Sequence, residues 1–147
     1  MFRKILFGTD FSPASRAAFR RSVELAREGK GRLLIAHVLP SVGPIGTEGY
    51  ATPRMYQEME SALRRDAQKK LDGLVARARK AGAAARGILL SGIAHEAVAR
   101  TARKEHADVV VVGTHGRTGL ERLLVGSVAS RIIGTASCPV LTVRARR

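Results

Sequence analysis

Five short apolar runs recur along this chain, and every gap between them is long enough for a helix or carries helical spacing. The runs are residues 3–9 (RKILFGT), 32–39 (RLLIAHVL), 84–90 (AARGILL), 108–112 (DVVVV) and 139–143 (PVLTV). Runs that are apolar at successive positions suit strands buried on both faces, as in the middle of a parallel sheet. Parallel neighbours need crossover connections, and those connections are right-handed helices. The alternation therefore specifies an α/β fold of three layers, α/β/α, with a doubly wound, five-stranded parallel sheet. No change of composition marks a linker and no internal repeat is present, so residues 1–147 are expected to form a single domain.

The intervening segments carry the helix signals. Ser12 is placed as an N-cap and Pro13 as the first helical residue, where its missing N–H costs nothing. Ala18, Ser22 and Leu25 then lie beside Phe19, Val23 and Ala26 at helical spacing, and Gly29 and Gly31 end the segment. Residues 40–53 hold three Pro and three Gly and are expected to be a loop. A long helix is predicted from Arg54 to Ala81, with Met55, Met59, Leu63, Ala67, Leu71, Leu74 and Ala78 as its inward stripe. Ser91 and Gly92 open a third helix with Ala94, Val98, Thr101 and Ala102 inward. A fourth carries Val128, Ala129, Ile132 and Ile133. Aromatic residues make up only 4% of the chain, so the core must be built from Ala, Val, Leu and Ile.

Doubly wound sheets bind ligands beyond the carboxyl ends of their strands, where the strand order reverses. That rule directs attention to Thr9, Asp10, Phe11 and Ser12 after the first strand, to Val38 at the end of the second, and to the stretch GTHGRTGLERLLVGS, residues 113–127, after the fourth. A helix N-terminus offers unpaired N–H groups and the positive end of a dipole, which together hold a phosphate. Glycines let the backbone approach such a ligand closely. Gly113, Gly116 and Gly119 recur every third residue, Thr114, Arg117 and Arg122 lie among them, and Gly126 and Ser127 stand at the mouth of the fourth helix. From these residues alone the stretch is either a phosphate cradle or a glycine-rich connection. Neither GxxxxGK[ST] nor GxGxxG is present, so a lysine over the β and γ phosphates has no obvious carrier.

The spacing Gly113-x2-Gly116-x9-Gly126-Ser127 resembles the G-2x-G-9x-G-[S/T] signature of the ATP-binding branch of the universal stress protein family. ILFGTDFSPAS at residues 5–15, VVVVGTHGRTGLERLLVGSVA at residues 109–129 and SCPVLTV at residues 137–143 extend the resemblance over essentially the whole chain. It implies an adenine nucleotide alpha hydrolase-like sheet with strand order 3-2-1-4-5. It also implies that Asp10 contacts the ribose or adenosine end and that the backbone of Val38 recognises adenine. Gly113 and Gly116 would line the ribose and phosphates, and Gly126, Ser127 and the N–H of Val128 would hold the phosphates. The ligand implied is ATP or another adenine nucleotide, with Mg or Mn bound through the phosphates. The implied role is sensing or regulation in a stress response, in a cytoplasmic homodimer paired through Val140 to Val143. One departure stands out: family sequences often read GxPxxxI after the third strand, whereas here Gly92 is followed by Ile93 and Ala94. The expected consequence is a looser start to the third helix.

Other readings compete for some residues. Lys and Arg number 26 against 12 Asp and Glu, a net charge of +14. Such a field draws polyanions, so a nucleic-acid-associated role through Arg64, Arg65, Lys69, Lys70, Arg77 and Lys80 stands as an alternative, beside a plainly solvated basic surface. A slow ATPase is a further alternative, but no residue is singled out to position water. His37, His95, His106 and His115 share no metal-ligand spacing. His37 is expected to be buried in its strand, and Cys138 to be a small side chain opening the last strand. A single cysteine excludes an internal disulfide and fits a reducing compartment. The N-terminal apolar stretch is too short for a signal peptide, and no run reaches the roughly 18 apolar residues of a spanning helix.

Overall fold

A computed structural model of the chain describes residues 1–41, 52–114 and 125–145. Among them the strands are β1 (Lys4–Gly8), β2 (Arg32–Leu39), β3 (Ala84–Ser91), β4 (Val109–Gly113) and β5 (Val140–Val143), and the helices are α1 (Ser15–Glu28), α2 (Pro53–Lys80), α3 (Ala94–Lys104) and α4 (Ser127–Thr135). The five strands form one parallel sheet in the order β3-β2-β1-β4-β5. The fold class and strand order are those expected from the sequence.

Side chains alternate across the sheet, and this alternation divides the core. Ile5, Phe7, Leu33, Ile35, Val109 and Val111 face one way, against Phe19 and Val23 of α1 and Leu71 and Val75 of α2. Leu6, Leu34, Ala36, Val110 and Val112 face the other way, against Val98 and Ala102 of α3 and Ala129 and Ile132 of α4. The β1 and β4 side chains at these positions are almost wholly buried, which is why their sequence shows no polar face.

Two expectations need correction. Ser12 does not cap α1. The helix begins at Ser15 after Ala14, with no side-chain cap, because Ser12 and Pro13 form a turn whose carbonyls accept the N–H groups of Ser15 (3.1 Å) and Arg16 (3.2 Å). The α2 stripe is also only half used. Ala67, Leu71, Val75 and Ala78 are buried, while Met55, Met59 and Leu63 are 53, 46 and 44% exposed. Length explains this: 28 residues of helix rise about 42 Å, whereas an eight-residue strand covers about 26 Å, so the first turns of α2 extend past the sheet. The start of α2 is instead fixed locally. Thr52 accepts a hydrogen bond from the Met55 N–H (3.2 Å) and Pro53 occupies the first helical position.

Gly87 decides how close α2 sits to the sheet. A Cβ there would lie 2.8 Å from Cγ of Leu71, so the glycine makes room for the buried leucine above it.

Candidate functional site

The switch point of this sheet lies between β1 and β4, whose crossovers run to opposite sides. A cavity of about 330 Å³ opens there, at the carboxyl ends of the strands. Thr9 and Asp10 enter it from the turn after β1, Val38 from the end of β2, Gly113 and Thr114 from the end of β4, and Gly126, Ser127 and Val128 from the start of α4. Four separate segments of the chain thus meet at one place. Gly116, Arg117 and Gly119, with His115 and Arg122, lie outside the described residues.

Each wall has a local cause. The N–H of Thr9 donates to the carbonyl of Ala36 (2.9 Å), which ties the end of β1 to β2. The Thr9 hydroxyl contacts that of Ser15 (3.1 Å) and accepts the Phe11 N–H (3.0 Å). One Asp10 carboxylate oxygen, Oδ1, accepts the Ser12 N–H (2.9 Å), a short Asx-type turn that holds the acid half-buried at the cavity edge. Among the described residues no hydrogen bond or ion pair engages its other oxygen.

The α4 end of the cavity is held from both sides. The Gly126 N–H donates to the Thr114 carbonyl (2.6 Å), and the Thr114 N–H donates to the Val143 carbonyl (3.0 Å), so the end of β4, the start of α4 and the end of β5 are tied together. The first intrahelical bond of α4 runs from the Ser130 N–H to the Gly126 carbonyl (2.9 Å). The N–H groups of Ser127, Val128 and Ala129 therefore have no helical acceptor, and no acidic residue occupies the first turn. Gly113 carries no side chain where the β1–α1 turn passes: a Cβ there would sit 3.4 Å from the Ala14 carbonyl oxygen.

Phe11 and Ser12, grouped with this site in the sequence, are not among the residues that line it. Phe11 has φ 61°, a left-handed conformation rare for a bulky residue, and the chain reverses there. Its ring stacks on His37 with centroids 4.2 Å apart. Ser12 is buried on the α1–α2 side of the sheet.

Several lining residues escaped the sequence reading. His37 is a buried strand residue, as expected, and it is also a wall of the cavity. Its Nδ1 lies 2.8 Å from the Thr9 carbonyl oxygen, and since a carbonyl only accepts, Nδ1 carries the proton. The position next to Val38 on one strand was the available signal. Ser15 also lines the cavity, and Ala94, Val98 and Ile132 give it an apolar side. The α3 helix begins at Ala94, the position where the family pattern has proline, so a good helix former starts the helix without one. Among the described residues no group of three or more His, Cys, Asp or Glu is placed to hold a metal ion.

What the arrangement can do is bind an elongated ligand with one apolar end and one anionic end. Ala36, Val38, Val98 and Ile132 offer apolar contact, Asp10 offers a charged acceptor for hydroxyls, and α4 offers backbone donors for an anion.

Residues 1–144 match the model of the Universal stress protein family. Universal stress protein MJ0531 of Methanocaldococcus jannaschii is 31% identical over 144 residues, covering 98% of this chain and 83% of that protein. The solved structure of the hypothetical protein MJ0577, from the same organism, superposes with a TM-score of 0.86 at 26% identity, covering 100% of this chain and 99% of that one. The universal stress protein of Archaeoglobus fulgidus in complex with dAMP shares the fold, with a TM-score of 0.68 at 23% identity over 97% of this chain and 98% of that one. A family match along nearly the whole length, on the doubly wound parallel sheet that the apolar runs point to, makes this chain a member of the universal stress protein family.

Proposed function

We propose that this protein binds ATP in the cavity at the β1/β4 switch point and acts as a nucleotide-dependent sensor or regulator. The observation that carries this reading is the convergence of Asp10, Val38 and the Gly126–Ser127 helix start on one cavity. The adenine ring sits against the backbone of Val38, the ribose hydroxyls donate to Asp10, and the phosphates take the free N–H groups of α4. Mg or Mn is held by the phosphate oxygens rather than by protein side chains. Gly116, Arg117 and Gly119 complete the phosphate end. Family members of the same fold solved with dAMP and with cAMP support an adenine nucleotide as the ligand class. β5 is an edge strand of four half-buried residues, which supports homodimer pairing through Val140 to Val143.

The experiment has two parts. Denatured, purified protein is extracted and any released nucleotide identified by mass and absorbance. The emptied protein is then titrated with ATP in a calorimeter, with and without magnesium, beside Ser127→Ala. Saturable binding that weakens about tenfold in the variant is expected, from the loss of one hydrogen bond to a charged group. The absence of ATP heat in the wild type, with no adenine nucleotide in the extract, overturns the reading.

A further inference from the structure

A second cavity of about 330 Å³ lies on the opposite face of the sheet, between α1 and α2. It backs onto the first across the β1–α1 turn, and Thr9 and Ser15 are walls of both. Its chemistry is different. Arg16 of α1 and Lys70 and Arg77 of α2 stand around it, over a floor that includes Phe11, Phe19 and Leu74. The Lys70 ammonium is 5.9 Å from the Phe11 ring centre, and the Arg77 guanidinium is 5.3 Å from that of Phe19. Lys70 is bridged to Asp66 at 2.8 Å. Arg16 and Arg77 have no carboxylate within 4 Å among the described residues.

Two features of this cavity have no structural explanation. The first is Ser12, a wall residue only 8% exposed, whose hydroxyl has no hydrogen-bond partner. Buried hydroxyls are normally satisfied, and no described residue satisfies this one. The second is Gly73. Glycine is among the least favourable residues in a helix interior, and Gly73 sits deep inside the 28-residue α2. Packing does not demand it, since a Cβ at this position meets nothing within 4 Å. Positions 70, 73 and 77 are separated by steps of three and four and so share one helix face. The glycine is thus a notch between two cations, and its missing side chain leaves the cleft open.

We propose that this cleft is a second binding site, for a small molecule that carries a phosphate on an apolar or ring-shaped body. Arg16 and Arg77 bind the phosphate, the Ser12 hydroxyl donates to it, and Phe11, Phe19 and Leu74 receive the body. The proposal does not depend on the nucleotide reading of the first cavity.

Phenyl phosphate tests it, followed by amide chemical shifts in the intact protein. Saturable shifts are expected at Ser12, Arg16, Gly73 and Arg77. Gly73→Leu fills the notch with a good helix former and should abolish those shifts while leaving the fold intact. Arg16→Gln should weaken binding about tenfold, as expected for one lost charge-assisted hydrogen bond. Gly73→Ala serves as a control that should be more stable than the wild type, since the added Cβ meets nothing within 4 Å and alanine favours the helix. Shifts confined to Gly113, Gly126 and Ser127 would assign the probe to the first cavity alone and overturn the proposal. So would shifts around Gly73 that persist unchanged in Gly73→Leu, or no shifts at all.

Discussion

Asp10 gives the sharpest test of the proposed nucleotide site, because its two carboxylate oxygens have separable duties. Oδ1 accepts the Ser12 N–H at 2.9 Å and shapes the turn, and the proposed site gives the other oxygen to a ribose hydroxyl. A hydrogen bond to a charged group contributes about 1.5–3 kcal/mol, so its loss corresponds to roughly 10- to 150-fold in affinity. Asp10→Ala removes both duties. It should weaken ATP within that range and lower unfolding stability by about 1 kcal/mol, the usual net value of a local hydrogen bond. Asp10→Asn retains an oxygen for the Ser12 N–H, so stability should stay within about 0.5 kcal/mol of the wild type. Its amide accepts hydroxyl protons less strongly than a carboxylate, and its affinity should fall between those of wild type and alanine. Calorimetric titration with ATP gives the affinities, and urea unfolding gives the stabilities. An ATP affinity unchanged in both variants would refute the placement of the ribose. A loss of affinity in Asp10→Ala accompanied by wild-type affinity in Asp10→Asn would show that only the turn matters.

Other consequences concern the frame. Gly87→Ala should destabilise the protein by about 1–3 kcal/mol in urea unfolding, because the added Cβ lies 2.8 Å from buried Leu71. Leu71→Ala should cost about 2–5 kcal/mol, whereas Leu63→Ala, 44% exposed on the overhanging part of α2, should cost less than about 1 kcal/mol; equal costs would contradict the overhang. Asp108 accepts the N–H groups of Arg3 (2.7 Å) and Lys4 (2.8 Å), and the Lys4 N–H and then the Arg3 N–H hold its carboxyl below the usual range. A depressed folded value stabilises the protein above the unfolded pKa of about 3.9, and that contribution is lost as pH falls through the folded value. Asp108→Asn should therefore be less stable than wild type by up to about 1 kcal/mol at pH 7, since the site is exposed and screened, and the difference should vanish in strong acid. Burial raises the Cys138 thiol, so alkylation by iodoacetamide at pH 8 should be slower than for free cysteine; an equal or faster rate would contradict that environment.

Local sequence was sufficient wherever a signal repeats within a few residues. The apolar runs of β1, β2 and β4 reveal strands buried on both faces, and the strand–helix alternation then leaves little but a doubly wound parallel sheet. The glycine spacing and the family resemblance it carries single out Asp10, Val38, Gly113 and Gly126–Ser127, and the fold brings these residues to one cavity. What the sequence left undecided depends on direction and distance between segments. Phe11 and Ser12 follow Asp10 in the chain, yet the reversal at Phe11 sends Ser12 to the far side of the sheet. The α2 stripe continues unbroken through Met55, Met59 and Leu63, but a helix longer than the sheet has nothing to bury its first turns against. Gly73 and Gly87 lie fourteen residues apart as two unremarked glycines, and only packing shows that one makes room for a leucine while the other borders an open cleft between cations. Periodicity along a chain encodes which face of a segment is apolar; it does not encode how far the neighbouring layer extends, and that distance determines what is buried, what is exposed and where a cavity remains.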